Sequence, residues 1–132
     1  MLKPLRYFFF RIYDWKRGSE SEPMAVFTAL ASTTVAVYMH ILAIHVFLSR
    51  ATKLNVGLPH DRNTSRAVGI IVGLGIMTGF YRAWIASSRY RKFVEEFRSE
   101  TEMQRGHRTV LLILYAVVSF LLPFTLMILL RP

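Results

Sequence analysis

Residues 67–86 read AVGIIVGLGIMTGFYRAWIA, an apolar run punctuated by Gly69, Gly73, Gly75 and Gly79. The glycines form two Gly-xxx-Gly pairs, 69/73 and 75/79. In water, each glycine inside a helix costs about 1 kcal/mol relative to alanine. In lipid, small residues let backbones approach closely and gain dispersion contacts. The step from 73 to 75 is roughly 200° on a helix, so the two pairs face nearly opposite sides. The stretch therefore reads as a membrane-spanning helix approached closely on two faces, standing in the middle of a small bundle.

Two further apolar runs flank it. Met24 to Leu48 and Thr109 to Leu130 contain no Asp, Glu, Lys or Arg. Since about 20 apolar residues cross a bilayer, three spans occupy nearly half of the 132 residues. The composition agrees: 53% hydrophobic, 19% charged and a mean hydropathy of +0.35 lie outside the ordinary soluble range. The expected fold is an all-α integral membrane protein of one domain, 1–132, with spans at 24–48, 67–86 and 109–130. What remains is too short for a separate catalytic domain. The absence of cysteine excludes disulfides, thiol chemistry, iron–sulfur clusters and cysteine-ligated zinc.

The net charge of +9 would suggest nucleic acid in a soluble protein. Here the basic residues flank apolar runs, where they meet anionic headgroups, and no nucleic-acid module is present. The expected partners are membrane lipids and other membrane subunits, not nucleic acid.

Residues 1–17, MLKPLRYFFFRIYDWKR, are too interrupted by charge to span. At 100° per residue Leu5, Phe8, Phe9, Ile12 and Trp15 share a face opposite Lys3, Arg6, Asp14 and Arg17. That pattern describes an amphipathic interfacial helix with Trp15 against lipid or a partner. Tyr7 and Phe10 fall on the polar side, where they could meet a partner protein. After Gly18, the Ser19–Pro23 segment carries helix-start signals: a Ser-x-x-Glu pair, acidic residues and an early proline.

In the first span Thr28, Ala29, Ala31, Ser32, Thr33, Thr34 and Ala36 suit tight packing, with hydroxyls bonded to carbonyls. The connector 49–66 contains the breakers Gly57 and Pro59, and Asp61, Asn63 or Thr64 can cap the second span. Beyond Phe80-Tyr81-Arg82-Ala83-Trp84, an interfacial belt, the helical pattern continues to about residue 104 without a breaker before Gly106. Arg91/Glu95, Lys92/Glu96 and Arg98/Glu102 are spaced for ion pairs, and Tyr90, Phe93, Val94 and Phe97 form a stripe. The second span is thus expected to extend straight out of the bilayer. Arg82, Trp84, Tyr90, Phe93 and Phe97 are then candidates for lipid or partner contact, the stripe resting on the amino-terminal helix, on headgroups or on a neighbouring subunit. In the third span Pro123 should loosen the helix, with Ser119 and Thr125 hydroxyls able to reach the freed carbonyl.

Three spans place the amino terminus and the 87–108 connector on one side. Of seventeen Lys and Arg, five (Arg50, Lys53, Arg62, Arg66 and Arg131) fall on the other side and twelve, with Arg82, on this one. The positive-inside rule puts the amino terminus and the extension in the cytoplasm, the carboxyl terminus opposite.

His40 is the candidate for cofactor chemistry. It lies about 6 Å from the midplane of a span centred near residue 36, where an ionisable group is a functional candidate by default. A neutral imidazole there could ligate a haem or pigment metal or bond a quinone shared with a neighbouring subunit; its plain alternative is a hydrogen bond to the next helix. His45, His60 and His107 do not match its depth, so no intrachain bis-histidine pair forms. All eight acidic residues lie outside the spans, which excludes an intramembrane carboxylate relay. No hydrolase, zinc-protease, phosphate-loop or dinucleotide motif occurs, and no metal site or catalytic residue is expected. The leading expectation is a non-catalytic accessory subunit of a larger membrane assembly, photosynthetic or respiratory. The alternatives are a homo-oligomeric channel or membrane-disrupting effector, and a haem- or quinone-binding electron-transfer anchor.

Overall fold

A computed structural model describes residues 3–51 and 61–129, with only the backbone of residue 50. The Gly57 and Pro59 breakers, His60, and the terminal Arg131 and Pro132 lie outside the described residues. The rest is helical: α1 (Lys3–Arg17), α2 (Glu22–Ala51), α3 (Arg62–Phe80) continued by a π-helical segment (Tyr81–Ala86), α4 (Arg89–Arg98) and α5 (Glu102–Leu129). By length and composition α2, α3 with its π segment, and α5 can each cross a membrane.

The turn from α1 to α2 is closed by backbone bonds from Ser19 and Glu20 to the Lys16 carbonyl and by a 3.0 Å Lys16–Glu20 ion pair. The anticipated Ser19–Glu22 capping pair does not form. Ser19 Oγ donates back to Lys16 O, and Glu22 turns toward Tyr13 and Arg17. Asp61 caps α3, its carboxylate accepting from the Thr64 backbone N–H (3.0 Å) and hydroxyl (2.8 Å). These bonds, the backbone one foremost, hold the Asp61 carboxyl below the usual carboxylate range.

The centre of the bundle is α2, not the glycine helix: α1, α3 and α5 all pack on it. Ala25, Ala29 and Thr33 are fully buried, so small side chains on α2 provide the close approach. Thr33 and Thr34 return their hydroxyls to the Ala29 and Leu30 carbonyls, as the sequence suggested. Alanine and threonine permit near approach and still contribute a Cβ to the contact; glycine contributes none. That difference accounts for α3 standing at the edge, with no buried residue of its own.

The straight extension of the second span is also corrected. The helix widens into the π segment and breaks at Ser87-Ser88, far short of Gly106. Ser87 Oγ donates to Ala83 O at 2.6 Å, and Ser88 takes a left-handed conformation at φ 54°. A non-glycine residue there costs roughly 1–2 kcal/mol. The turn sends α4 back across α1, burying Tyr90, Phe93, Val94 and Phe97, the stripe that a straight helix would leave uncovered. Aromatic burial on that scale outweighs the strained residue. None of the three anticipated i, i+4 pairs is among the four ion pairs of the described residues. Residues 102–108 are helical but belong to α5, which Thr101 starts by accepting from the Gln104 and Arg105 backbone N–H groups. Gly106 lies inside that helix.

Helix α5 continues through Pro123, which is fully buried. Ser119 and Thr125 do not rescue the carbonyl freed by the proline; their hydroxyls go to Tyr115 O and Leu121 O. At the end opposite the α2–α3 connector, α1, the π segment, α4 and the first turns of α5 gather. Arg11 donates to Thr109 Oγ1 at 2.8 Å, and Arg105 pairs with Asp14.

Candidate functional site

Three places hold the residues singled out from sequence. The first is His40, where α2 meets α5. Its Nδ1 lies 2.7 Å from the Ala36 carbonyl, its Nε2 lies 3.1 Å from Ser119 Oγ, and its ring stacks on Tyr115 with centroids 5.3 Å apart. In the neutral tautomer with the proton on Nδ1, that N–H donates to Ala36 O, and the single Ser119 hydroxyl hydrogen is shared between the nearer Tyr115 carbonyl and Nε2. A metal or quinone at His40 would have to displace Ser119. The geometry performs a structural task, tying α2 to α5 across a gap of 79 positions in sequence.

The second place is the aromatic cluster at the crowded end. Trp84, 4% exposed, packs edge-on to Phe9 (5.6 Å) and Phe93 (5.5 Å) and tilted on Phe80 (4.7 Å). Tyr7 and Phe10 reach Phe97, and Phe9 and Tyr13 reach Tyr90. Trp84, Tyr90, Phe93 and Phe97 are therefore turned inward on α1 and are not free to meet lipid or a partner. The buried arc of α1 also differs from the expected one: Phe9 lies within it and Leu5 and Ile12 pack against it, but Trp15 points away, 73% exposed, and Tyr7 and Phe10 are covered by α4. Arg6, on the supposed polar face, sits with its guanidinium 4.7 Å above the Phe93 ring. Arg82 is exposed on the π segment.

Polar groups fasten the cluster, and the sequence reading did not find them. Tyr13 accepts from Arg17 and donates to Glu22 Oε1 at 3.4 Å; Tyr7 donates to Glu100 Oε2 at 3.3 Å. For Tyr7 the signal was available, since it broke the amphipathic pattern of α1. Burial pushes both phenols above their ordinary value of 10.0, and the neighbouring Glu100 and Glu22 carboxylates push in the same direction. The folded state thus favours the neutral phenol. Its contribution is complete below the ordinary tyrosine range and is lost as pH rises through the raised values. Alkaline titration is expected to keep α1 docked past pH 10 and then release it together with tyrosinate formation, and Tyr7→Phe with Tyr13→Phe should move release to higher pH. Tyrosinate absorbance recorded beside protease sensitivity of α1 checks this; release below pH 10 would contradict it.

The third place is the glycine face of α3. Gly69 packs on Tyr38, whose hydroxyl would stand 2.8 Å from an added Cβ, whereas Gly73, Gly75 and Gly79 meet nothing within 4 Å. A cleft of about 900 Å³ opens between α2 and α3, lined by Thr34, Val35, Tyr38, Arg66, Gly69 and Gly73. Thus one of the four glycines is engaged by a side chain among the described residues. Among the described residues no three His, Asp or Glu side chains converge as a metal site would need. Compared with known families, curated proteins and solved structures, the chain matches none.

Proposed function

We propose that the chain is a non-catalytic subunit of a larger membrane assembly, seated in lipid with α1 and α4 on the cytoplasmic side and offering α3 to a helix of another subunit. The observation that carries this reading is the open side of α3. Gly73, Gly75 and Gly79 carry the cost of glycine in a helix with no neighbour among the described residues to gain from it. In lipid that gain comes from a second helix resting on the bared backbone. Gly73 also lines the cleft between α2 and α3, so a partner helix on that side would lean on both helices, while Gly75 and Gly79 offer the opposite side of α3. The aromatic cluster serves assembly by fixing the cytoplasmic end while α3 stays available. The bias of basic residues supports the orientation.

The test is gentle extraction followed by native gel migration and chemical crosslinking of the full chain. The wild type is expected to migrate with other polypeptides, and Gly73→Leu or Gly75→Leu to lose them while thermal stability stays within about 1 kcal/mol of wild type. A lone wild-type monomer, or leucine variants that keep their partners, would overturn the proposal. A single homo-oligomer of defined size would assign the face to a second copy of the chain instead.

A further inference from the structure

A pocket of about 620 Å³ lies between the start of α1, the α4–α5 turn and the first turns of α5. Its wall on α5 changes character along the helix. Gln104 and Arg108 line one end, and Leu111, Leu112 and Tyr115 the other. From Arg108 to Tyr115 the rise is about 10 Å, and it coincides with the passage from the charged leader of α5 into its charge-free span. One cavity therefore bridges the headgroup level and the upper acyl region, which is the profile of an amphiphile.

The charges narrow the choice. Glu100, with a side chain only 6% exposed, is held by the Arg108 guanidinium and by the Tyr7 hydroxyl at 3.3 Å, so that pair is neutral as a unit. Lys3 and Glu96 also line the pocket, and neither has an ion-pair partner among the described residues. Among the described residues the pocket thus presents one unpaired cation and one unpaired anion above an apolar wall. A ligand with a single negative charge would satisfy Lys3 and meet repulsion from Glu96. A zwitterion satisfies both. A quaternary ammonium supplies charge but no N–H donors, whereas a primary ammonium supplies three to carboxylate oxygens.

We propose that this pocket binds a zwitterionic phospholipid with a primary-amine headgroup, its phosphate facing Lys3, its ammonium facing Glu96, and an acyl chain along Leu111, Leu112 and Tyr115. The inference needs α5 in a bilayer, but it does not depend on whether α3 binds another subunit. Its test uses the full chain, delipidated in mild detergent and incubated separately with phosphatidylethanolamine, phosphatidylcholine and phosphatidylglycerol of identical acyl chains, and with free phosphoethanolamine. Bound lipid is counted by native mass spectrometry. Phosphatidylethanolamine is expected to be retained at least roughly tenfold better than the other two lipids, a difference of about 1.4 kcal/mol, and free phosphoethanolamine not to be retained. Glu96→Gln should shrink that advantage and raise retention of phosphatidylglycerol; Lys3→Gln should weaken retention of all three lipids. Both positions are exposed, so both variants keep the fold, and circular dichroism verifies this. Equal retention of the three lipids, an unchanged preference in both variants, or binding of phosphoethanolamine as tight as that of its lipid would each overturn the assignment.

Discussion

Phe9→Ala is expected to detach α1 from the bundle. Phe9 has no exposed surface and stands among Tyr13, Trp84 and Tyr90, at centroid distances of 6.3, 5.6 and 6.5 Å. Removing a buried phenylalanine costs about 3–5 kcal/mol through lost transfer energy and the cavity left behind. The edge-on contacts to Trp84 and Tyr90 are lost as well. A compensating effect works at this site. Released α1 can rest in the headgroup region with Leu5, Phe8 and Ile12 against lipid, so the undocked state is less costly than aqueous exposure. The net loss therefore sits near about 3 kcal/mol, still large for a domain stable by about 5–15 kcal/mol. Limited trypsin digestion of the protein in micelles should cut at Arg6, Arg11 and Lys16 in the variant under conditions that spare the wild type. Helices α2 and α5 should themselves persist, as reported by an unchanged far-ultraviolet spectrum. A variant as resistant as wild type would show that α1 is held by its polar bonds alone.

The same site shows what the sequence could and could not convey. The three spans and the stripe Tyr90, Phe93, Val94 and Phe97 were legible because periodicity and charge depletion are local properties, readable one segment at a time. The direction of the stripe was not. Ser87-Ser88 contains neither glycine nor proline, and nothing local marks Ser88 as left-handed; the turn exists because burying four side chains on α1 outweighs the backbone cost. That gain comes from residues some eighty positions away in the chain. The glycines of α3 read as a surface for close approach, but small residues do not name the helix that approaches; among the described residues Gly69 meets Tyr38, and Ala25, Ala29 and Thr33 of α2 provide the close packing. His40 stood out in the sequence as an ionisable residue within a charge-free run, while its partner Ser119 lay on another helix and could not be inferred from spacing. Tyr7 and Phe10 carried real information: aromatics on a face assigned to water indicated a second contact surface on α1, now seen to be filled by α4.

Trp84→Ala is expected to have a larger and differently shaped effect than Phe9→Ala, because the indole touches three elements at once. It joins Phe9 of α1, Phe93 of α4 and Phe80 at the end of α3, and only 4% of it is exposed. Its loss should cost about 3–5 kcal/mol and release α4 together with α1, since the strained turn at Ser88 is held in place by what α4 buries. Digestion should then extend to Arg89, Arg91, Lys92 and Arg98, sites that Phe9→Ala leaves protected. Because Phe9 and Trp84 are in contact, the double variant should fall short of the sum of the two single losses by roughly 0.5–3 kcal/mol. Additive losses would mean that α1 and α4 dock independently and that the indole merely fills space. Trp84→Phe separates size from aromatic geometry: a smaller ring that still meets Phe9 and Phe93 edge-on should keep more of the docking of α1 and α4 than alanine does. Ser88→Gly tests the other half of the same balance, relieving about 1 kcal/mol or more at φ 54° and thereby recovering part of the stability lost in Trp84→Ala. A Ser88→Gly change that deepens the loss would indicate that the left-handed turn is not the strained element holding α4 against α1.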